Sequence, residues 1–428
     1  MSQTGIPRSA EQHRTSCEPR GGVRPGNGER GDVSAVVLAG AGARGAYEAG
    51  LPAEMLPALE ARGQRPTVFV GTSAGAVAAV LFASPAHLPA RQAAEAAVGL
   101  WRGVSKDQVF LPFVPRTLWV DLTRYLSGLL RRPGPPPTGL LDTAPPLSTL
   151  RDRLDWQQLD ENARTGASQA VAVAATVCRT GRTEIVADGP LALGLPRSDD
   201  DQAVDHTLDT LTPEHVLASA AVPVAFRPAR IRPGGEWYID GGVRLNAPIK
   251  PAIAPGVSRV LVIATDPGKY LLPEAGGRTE PAPSVQDTVA QVFHAALTDR
   301  MIEDLRTLSR TNALVESGAT AKSAAGRPYR VVEHLFGGPK LGRFGQLGRL
   351  ARTVLDTRFG GVRRLRHLDL ALLTGLLTPG HSRGELLSYV FFEPHFVDAA
   401  VELGRRDARR VIGNAHDGGL WQVTASTA

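Results

Sequence analysis

The chain has 428 residues, 43% hydrophobic and 21% charged, which is ordinary for a globular protein and enough for a large core. Its two cysteines, Cys17 and Cys178, lie far apart and make no disulfide framework, and no apolar run is long enough to span a bilayer. The net charge of +6 comes from an arginine-rich composition; it permits an anionic partner such as a lipid surface without demanding one, and calls for no nucleic acid.

Residues 1–32 are rich in Gly, Pro, Arg and polar residues, with no apolar run. They read as a disordered tail and not as a secretory leader, so a cytoplasmic setting is expected, with any membrane contact peripheral. A buried strand is predicted over residues 34–39. It runs into Gly40-Ala41-Gly42-Ala43-Arg44-Gly45, which opens a helix predicted over residues 46–62 despite Pro52 and Pro57. This turn reads in two ways. As G-x-G-x-x-G it is a dinucleotide fingerprint, which wants a second strand ending in Asp or Glu about 20 residues on. The candidate, Glu60, falls inside the helix instead. As a turn that points successive backbone amides into one space, it is an oxyanion hole.

A short strand over residues 68–70 leads into Gly71-Thr72-Ser73-Ala74-Gly75 and then into a helix of small residues. Strand, G-x-S-x-G, helix is the context of a nucleophile elbow. The serine there is held in a strained conformation that lifts its hydroxyl clear of the sheet, at a helix N-terminus that favours negative charge. The bland alternative is a strand–helix turn with a capping serine. Next come an amphipathic stretch over residues 118–132, flanked by Arg124, Arg131 and Arg132, and a proline-rich loop over residues 131–138. Strands are predicted over 170–177 and 183–186, a helix over 213–221 with Thr212 as N-cap and Pro213 in its first position, and strands over 237–239 and 259–264. Apolar strands alternating with helices predict a three-layer α/β/α fold around a mostly parallel sheet. Only one strand precedes the Ser73 strand, fewer than an α/β-hydrolase builds before its elbow.

The strand over 237–239 ends in Asp240-Gly241-Gly242. Alone, Asp-Gly is usually a turn; beside an exposed serine, the carboxylate is a candidate base. A loop follows over residues 273–283, and the remainder reads mainly as helix. This divides the chain into a tail (1–32), an α/β catalytic domain (33–270) and a helical C-terminal extension (271–428). Residues 342–367 carry seven arginines, from Arg343 to Arg366, against an apolar set of Leu347, Leu350, Ala351, Val354 and Leu355. This segment and 118–132 each read first as a helix packed on the core with a basic solvent face, and second as an interfacial helix on an anionic membrane. No zinc-ligand spacing, EF-hand pattern or Walker lysine occurs, so no metal or cofactor is expected.

Taken in order, the Gly-rich turn, the Ser73 elbow and Asp240-Gly241-Gly242 resemble the patatin-like phospholipase family, of bacterial type. The likeness extends to Gly139-Leu140-Leu141-Asp142-Thr143, to Ala218-Ser219-Ala220-Ala221-Val222-Pro223, to Asn246-Ala247-Pro248 and, more weakly, to Leu387-Ser388-Tyr389-Val390. The resemblance implies a lipid acyl hydrolase of phospholipase or lysophospholipase type, working through an acyl-serine. It implies Ser73 as nucleophile and Asp240 as its only partner, a Ser–Asp dyad. Gly40, Ala41 and Gly42 would supply the oxyanion-hole amides with Arg44 beside them, and Gly45, Gly71, Gly75, Gly241 and Gly242 are the motif glycines. Ala41 departs from the third consecutive glycine of many members, and fits only if the turn does not need positive φ there. Three other readings stand beside this one. They are a conventional triad using His294, His334, His367, His381, His395 or His416, a non-catalytic lipid-binding or scaffolding relative, and a dinucleotide-binding protein.

Overall fold

The computed structural model describes residues 32–104, 144–223, 225–265, 285–320, 322, 326, 328–339, 345–359, 381–415 and 419–423. The readings of the tail over 1–31, the segments over 118–132 and 139–143, the loops over 131–138 and 273–283, and the flanks of 342–367 lie outside the described residues. Asp32–Ala428 forms one compact unit.

The sheet starts with β1 (Ser34–Leu38), which is buried along its whole length and hands the chain to α1 (Gly45–Glu60) through a short 3-10 turn (Gly42–Arg44). Strand β2 (Val68–Thr72) pairs parallel to β1, and α2 (Ala74–Ala83) follows at once, then α3 (Ala90–Arg102). After α4 (Ala144–Arg153) and α5 (Trp156–Thr165) comes β3 (Ala170–Val177), the longest strand, parallel to β2. Next are β4 (Thr183–Asp188), β5 (Ser198–Asp199), β6 (Val204–Leu208), α6 (Pro213–Ser219), β7 (Tyr238–Asp240), α7 (Ile249–Ile253) and β8 (Arg259–Ile263). Helix α8 (Val285–Glu316), β9 (Glu333–Gly337), α9 (Gln346–Phe359), α10 (His381–Val390) and α11 (Pro394–Gly413) complete the described elements.

The strand order is β5-β6-β4-β3-β2-β1-β8-β9, with β7 paired to β3 off this path. Five pairings are parallel, and β3–β4, β3–β7 and β5–β6 are antiparallel, so the sheet is mixed with a parallel centre. Strands β5, β6 and β9 were not foreseen. They sit toward the two edges of the sheet, and β5 and β6 are only half-buried and carry polar residues, so they lack the continuous apolar run of a central strand. The central strands alternate sides. Val36, Leu38, Phe69, Val171 and Ile263 face a core shared with α1, α2, α3 and α11, while Ala35, Val37, Val70, Ala172 and Val262 face one shared with α7 and Met301 of α8.

The helical C-terminal region is packed against this frame. Helices α1 and α11 cross backbone to backbone: a Cβ at Gly50 would strike the carbonyl of Val401, and one at Gly404 the carbonyl of Tyr47. Helix α9 buries Leu347, Ala351, Val354 and Leu355 and leaves Arg349, Arg352 and Arg358 outside, so its apolar face lies in the core. No described helix is long and apolar enough to cross a membrane.

One buried group works against this packing. Glu48 of α1 is fully buried, and neither carboxylate oxygen has a partner among the described residues. Burial raises its pKa well above the usual carboxylate value. The folded state therefore holds this proton after the unfolded chain has released it. Stability is full below the unfolded carboxyl pKa and is lost as pH rises toward the folded value, at about 1.4 kcal/mol per pH unit. Glu48→Gln is expected to remove that loss. Thermal melts of the two proteins should coincide near pH 4 and diverge in favour of the variant between pH 5 and 8.

Candidate active site

Strand β3 assembles the site. Strand β2 runs beside it as far as Thr72, which is in register with Ala174. There β2 stops and the chain turns into α2 at Ser73. Strand β7 takes over antiparallel on β3, placing Asp240 opposite Ala175. The two strands thus run toward one another beside one partner, and their ends bring Ser73 and Asp240 together across 167 positions of sequence.

Ser73 has φ 56° and ψ −124°, a conformation costly for any residue with a side chain. Surrounding backbone enforces it. A Cβ at Gly71 would strike the Gly75 carbonyl, and one at Gly75 the carbonyls of Leu38 and Ala39. Only glycine at both positions lets the elbow fold this tightly onto the end of β1. The C-terminal end of α6 clamps both sides of the junction. Ser219 Oγ accepts from the Ser73 amide (2.9 Å) and donates to the Ala174 carbonyl (2.6 Å). Two residues on, the Ala221 carbonyl accepts from the Asp240 amide (2.9 Å). Thr176 Oγ1 donates to the Asp240 carbonyl (3.1 Å).

The Asp240 carboxylate is 5% exposed and accepts from the Gly242 amide at Oδ1 (2.7 Å). Burial raises its pKa to about 6, against hydrogen bonding from Ser73 and Gly242 that favours the ionised form. Oδ2 has no partner of good hydrogen-bond geometry, so serine and carboxylate are near but not locked, as is common before substrate binds. No histidine hydrogen-bonds to either group among the described residues. His334 lies on the edge strand β9, paired through its backbone to Gln422; His395 begins α11; His367 and His416 fall outside the described residues, as do the side chains of His294 and His381.

The Gly-rich turn is more differentiated than its sequence implies. Ala41 has φ −144°, which alanine tolerates, and the positive φ of 55° falls on Gly42. The Gly40 amide donates to the Asn246 carbonyl (3.1 Å), while the amides of Ala41 and Gly42 have no acceptor among the described residues. Ala74, directly after Ser73 at the start of α2, presents a further amide with no acceptor among the described residues, at the position expected of an elbow. The Arg44 backbone lies in the turn, but its guanidinium points away, buried against α10. Nε donates to Ser388 Oγ (2.7 Å), Nη2 to the Glu385 carbonyl (3.1 Å) and to the Glu385 carboxylate, and the group stacks on the Tyr389 ring at 3.9 Å. A buried guanidinium needs such partners. Glu60 sits at the far end of the 16-residue α1, roughly 24 Å from the turn at 1.5 Å per residue, and accepts from the Ala90 amide and Arg65. A small recess beside Gly40 is walled by Asn246, Thr265, Leu297, Met301 and Tyr389. No cluster of three metal-ligating side chains occurs among the described residues.

A family model described as patatin-like phospholipase matches residues 36–253, half of the chain. The chain belongs to this family. Membership places it among lipid hydrolases. Similar solved structures include VipD from Legionella pneumophila, at 17% identity and TM-score 0.30, covering 79% of this chain and 67% of that one. The type III effector ExoU aligns at 15% identity and TM-score 0.24, covering 86% and 77%. Human GIVD cytosolic phospholipase A2 in complex with methyl gamma-linolenyl fluorophosphonate aligns at 13% identity and TM-score 0.28, covering 88% and 59%. No curated protein matches the chain. The matched patatin-like region contains the turn, the elbow and Asp240. Tyr389 and Leu297, which wall the recess, lie beyond it; Tyr389 was legible only within a weaker family-like segment, and Leu297 gave no sequence signal. Ser219 was legible only as part of a family-like segment.

Ser219→Ala should leave the buried Ser73 amide without an acceptor. A loss of about 1–3 kcal/mol in unfolding free energy is expected, measured by urea denaturation. A change within error would show that the clamp does not hold the elbow.

Proposed function

We propose that the protein is a lipid acyl hydrolase in which Ser73 attacks the ester carbonyl and Asp240 is the sole base. The observation that carries this reading is the meeting of β2 and β7 on β3, which sets a strained serine beside a buried carboxylate. Asp240 takes the Ser73 proton as Oγ attacks. The amides of Ala41 and Gly42, with that of Ala74, receive the oxyanion; donors of this kind are each commonly worth about 10²–10³ in rate. The proton on Asp240 passes to the departing alcohol, leaving an acyl-serine. Water then attacks, Asp240 takes its proton, and the acid leaves as Ser73 Oγ is reprotonated. Arg44 acts in this scheme through its backbone and its hold on α10, and not as an anion ligand. The catalytic unit is assigned to residues 33–270, with Leu297 of α8 and Tyr389 of α10 closing one wall of its recess.

A buried carboxyl with a pKa of about 6 is a far better base near neutrality than an exposed one, and its position makes the rate pH-dependent. The base works ionised. kcat/KM for a soluble p-nitrophenyl ester should therefore fall as pH drops through about 6, with a slope of one proton. An acid limb that survives in every single histidine variant supports the carboxylate. One that disappears with a histidine returns the triad.

Ser73→Ala is expected to abolish both hydrolysis and labelling by a fluorophosphonate probe, with an unchanged melting curve. Peptide mapping of the labelled wild-type protein locates the adduct. An adduct on another serine removes Ser73 from its role. A folded protein that takes no label and cleaves no phospholipid, lysophospholipid, acylglycerol or p-nitrophenyl ester is a binding relative.

A further inference from the structure

Asn246 carries a polar atom that the scheme above leaves unused. Its side chain is 7% exposed, and Nδ2 donates to the Leu297 carbonyl of α8 (2.9 Å). That bond sets the amide orientation and turns Oδ1 toward the site. Oδ1 is buried and finds no donor among the described residues, while Asp240 Oδ2 has no partner of good geometry there, the Ser73 hydroxyl being the donor beside that carboxylate until the serine is acylated. An unsatisfied buried acceptor is costly enough that a function or a small ligand should account for it.

The glycines locate this oxygen. A Cβ on Gly40 would run into Asn246 Oδ1 and would lie 3.1 Å from Ser73 Cβ. A Cβ on Gly242 would lie 3.0 Å from Asn246 Oδ1 and 2.9 Å from Asp240 Oδ1. Gly242 therefore keeps open a wedge flanked by the amide oxygen on one side and the carboxylate on the other, and Gly40 keeps the same amide oxygen close to Ser73. Both flanking groups only accept hydrogen bonds. A single small molecule that satisfies both must offer two protons, and water does.

We propose that Asn246 Oδ1 and the Asp240 carboxylate together hold the water that hydrolyses the acyl-serine. The inference rests on the Ser73–Asp240 reading. The water donates one hydrogen to Asn246 Oδ1 and the other to Asp240, which leaves a lone pair for the acyl carbonyl carbon. As the new C–O bond forms, Asp240 takes the proton. The tetrahedral intermediate then breaks its bond to Ser73 Oγ, the proton on Asp240 passes to that oxygen, and the carboxylic acid departs. Asn246 is unchanged throughout. An amide suits the position because it does not titrate, so it accepts from the water without competing with Asp240 for a proton.

Acylation uses no water, so the two half-reactions separate. The test is stopped-flow hydrolysis of p-nitrophenyl butyrate by the full-length protein, with intact-mass detection of the acyl-enzyme and a thermal melt of each variant. Asn246→Ala is expected to keep the burst of p-nitrophenol and slow the steady phase by roughly tenfold, the worth of one hydrogen bond, so that acyl-enzyme accumulates. Hydroxylamine, a stronger nucleophile than water, should restore its turnover. Asn246→Asp keeps an acceptor but adds a second carboxylate. It should retain deacylation with an acid limb moved to higher pH, because neighbouring like charges oppose ionisation. Equal loss of burst and steady phases in a folded Asn246→Ala would overturn the proposal and leave Asn246 as a brace for α8. Should Asn246→Ala not fold, an unmoved acid limb in Asn246→Asp overturns it. A wild-type protein that forms no acyl adduct on Ser73 would instead defeat the underlying dyad.

Discussion

Everything at the site follows from a difference in strand length. Strand β3 has eight residues, and β2 covers only five of them before it ends. The uncovered end of β3 would expose unpaired backbone beside the elbow. Strand β7 fills it with three residues running the opposite way. Backbone hydrogen bonding, which a buried sheet must satisfy, thereby determines how near Asp240 comes to Ser73. The side chains need no contact of their own to be placed. This explains how the pair can be close without strict hydrogen-bond geometry between them.

The same junction stores unfavourable terms that the frame must offset. Ser73 is held at positive φ, Asp240 is buried with a raised pKa, and the amides of Ala41 and Gly42 lack acceptors among the described residues. Each is unfavourable for folding, and each would serve the acyl transfer proposed above. Close packing carries the cost. Gly75 lies on the end of β1, the Gly241 Cα lies against the Ala174 carbonyl, and the end of α6 reaches both the serine and the aspartate backbones.

The helices beyond β8 take part in this frame. Arg44, next to the amide turn, is buried where α10 brings a carboxylate, a carbonyl, a hydroxyl and an aromatic ring to it. The Tyr389 carbonyl stands where a side chain at Gly42 would go. Asn246 is oriented by a carbonyl of α8. The turn and the recess therefore each have one wall made by the helices beyond β8.

The sequence by itself determined the central elements and the three motifs. Strands β1, β2, β3 and β8 are mostly Val, Ala, Ile, Leu and Phe with no polar face, and G-x-S-x-G between a strand and a helix has few other uses. Strands β5, β6 and β9 were invisible because short, half-polar strands at or next to a sheet edge acquire their state from the neighbour they pair with, and not from a local pattern. Whether alanine at 41 was tolerated depended on which residue of the turn took positive φ; it falls on Gly42, where the Tyr389 carbonyl of α10 also leaves no room for a side chain. The direction of the Arg44 side chain was decided by residues more than 340 positions away. The orientation of the Asn246 amide was decided by the Leu297 carbonyl of α8. Local periodicity and turn chemistry act over a few residues and are written in the chain. Partners for buried polar atoms are drawn from whatever segment the fold brings alongside, and only the tertiary structure chooses them.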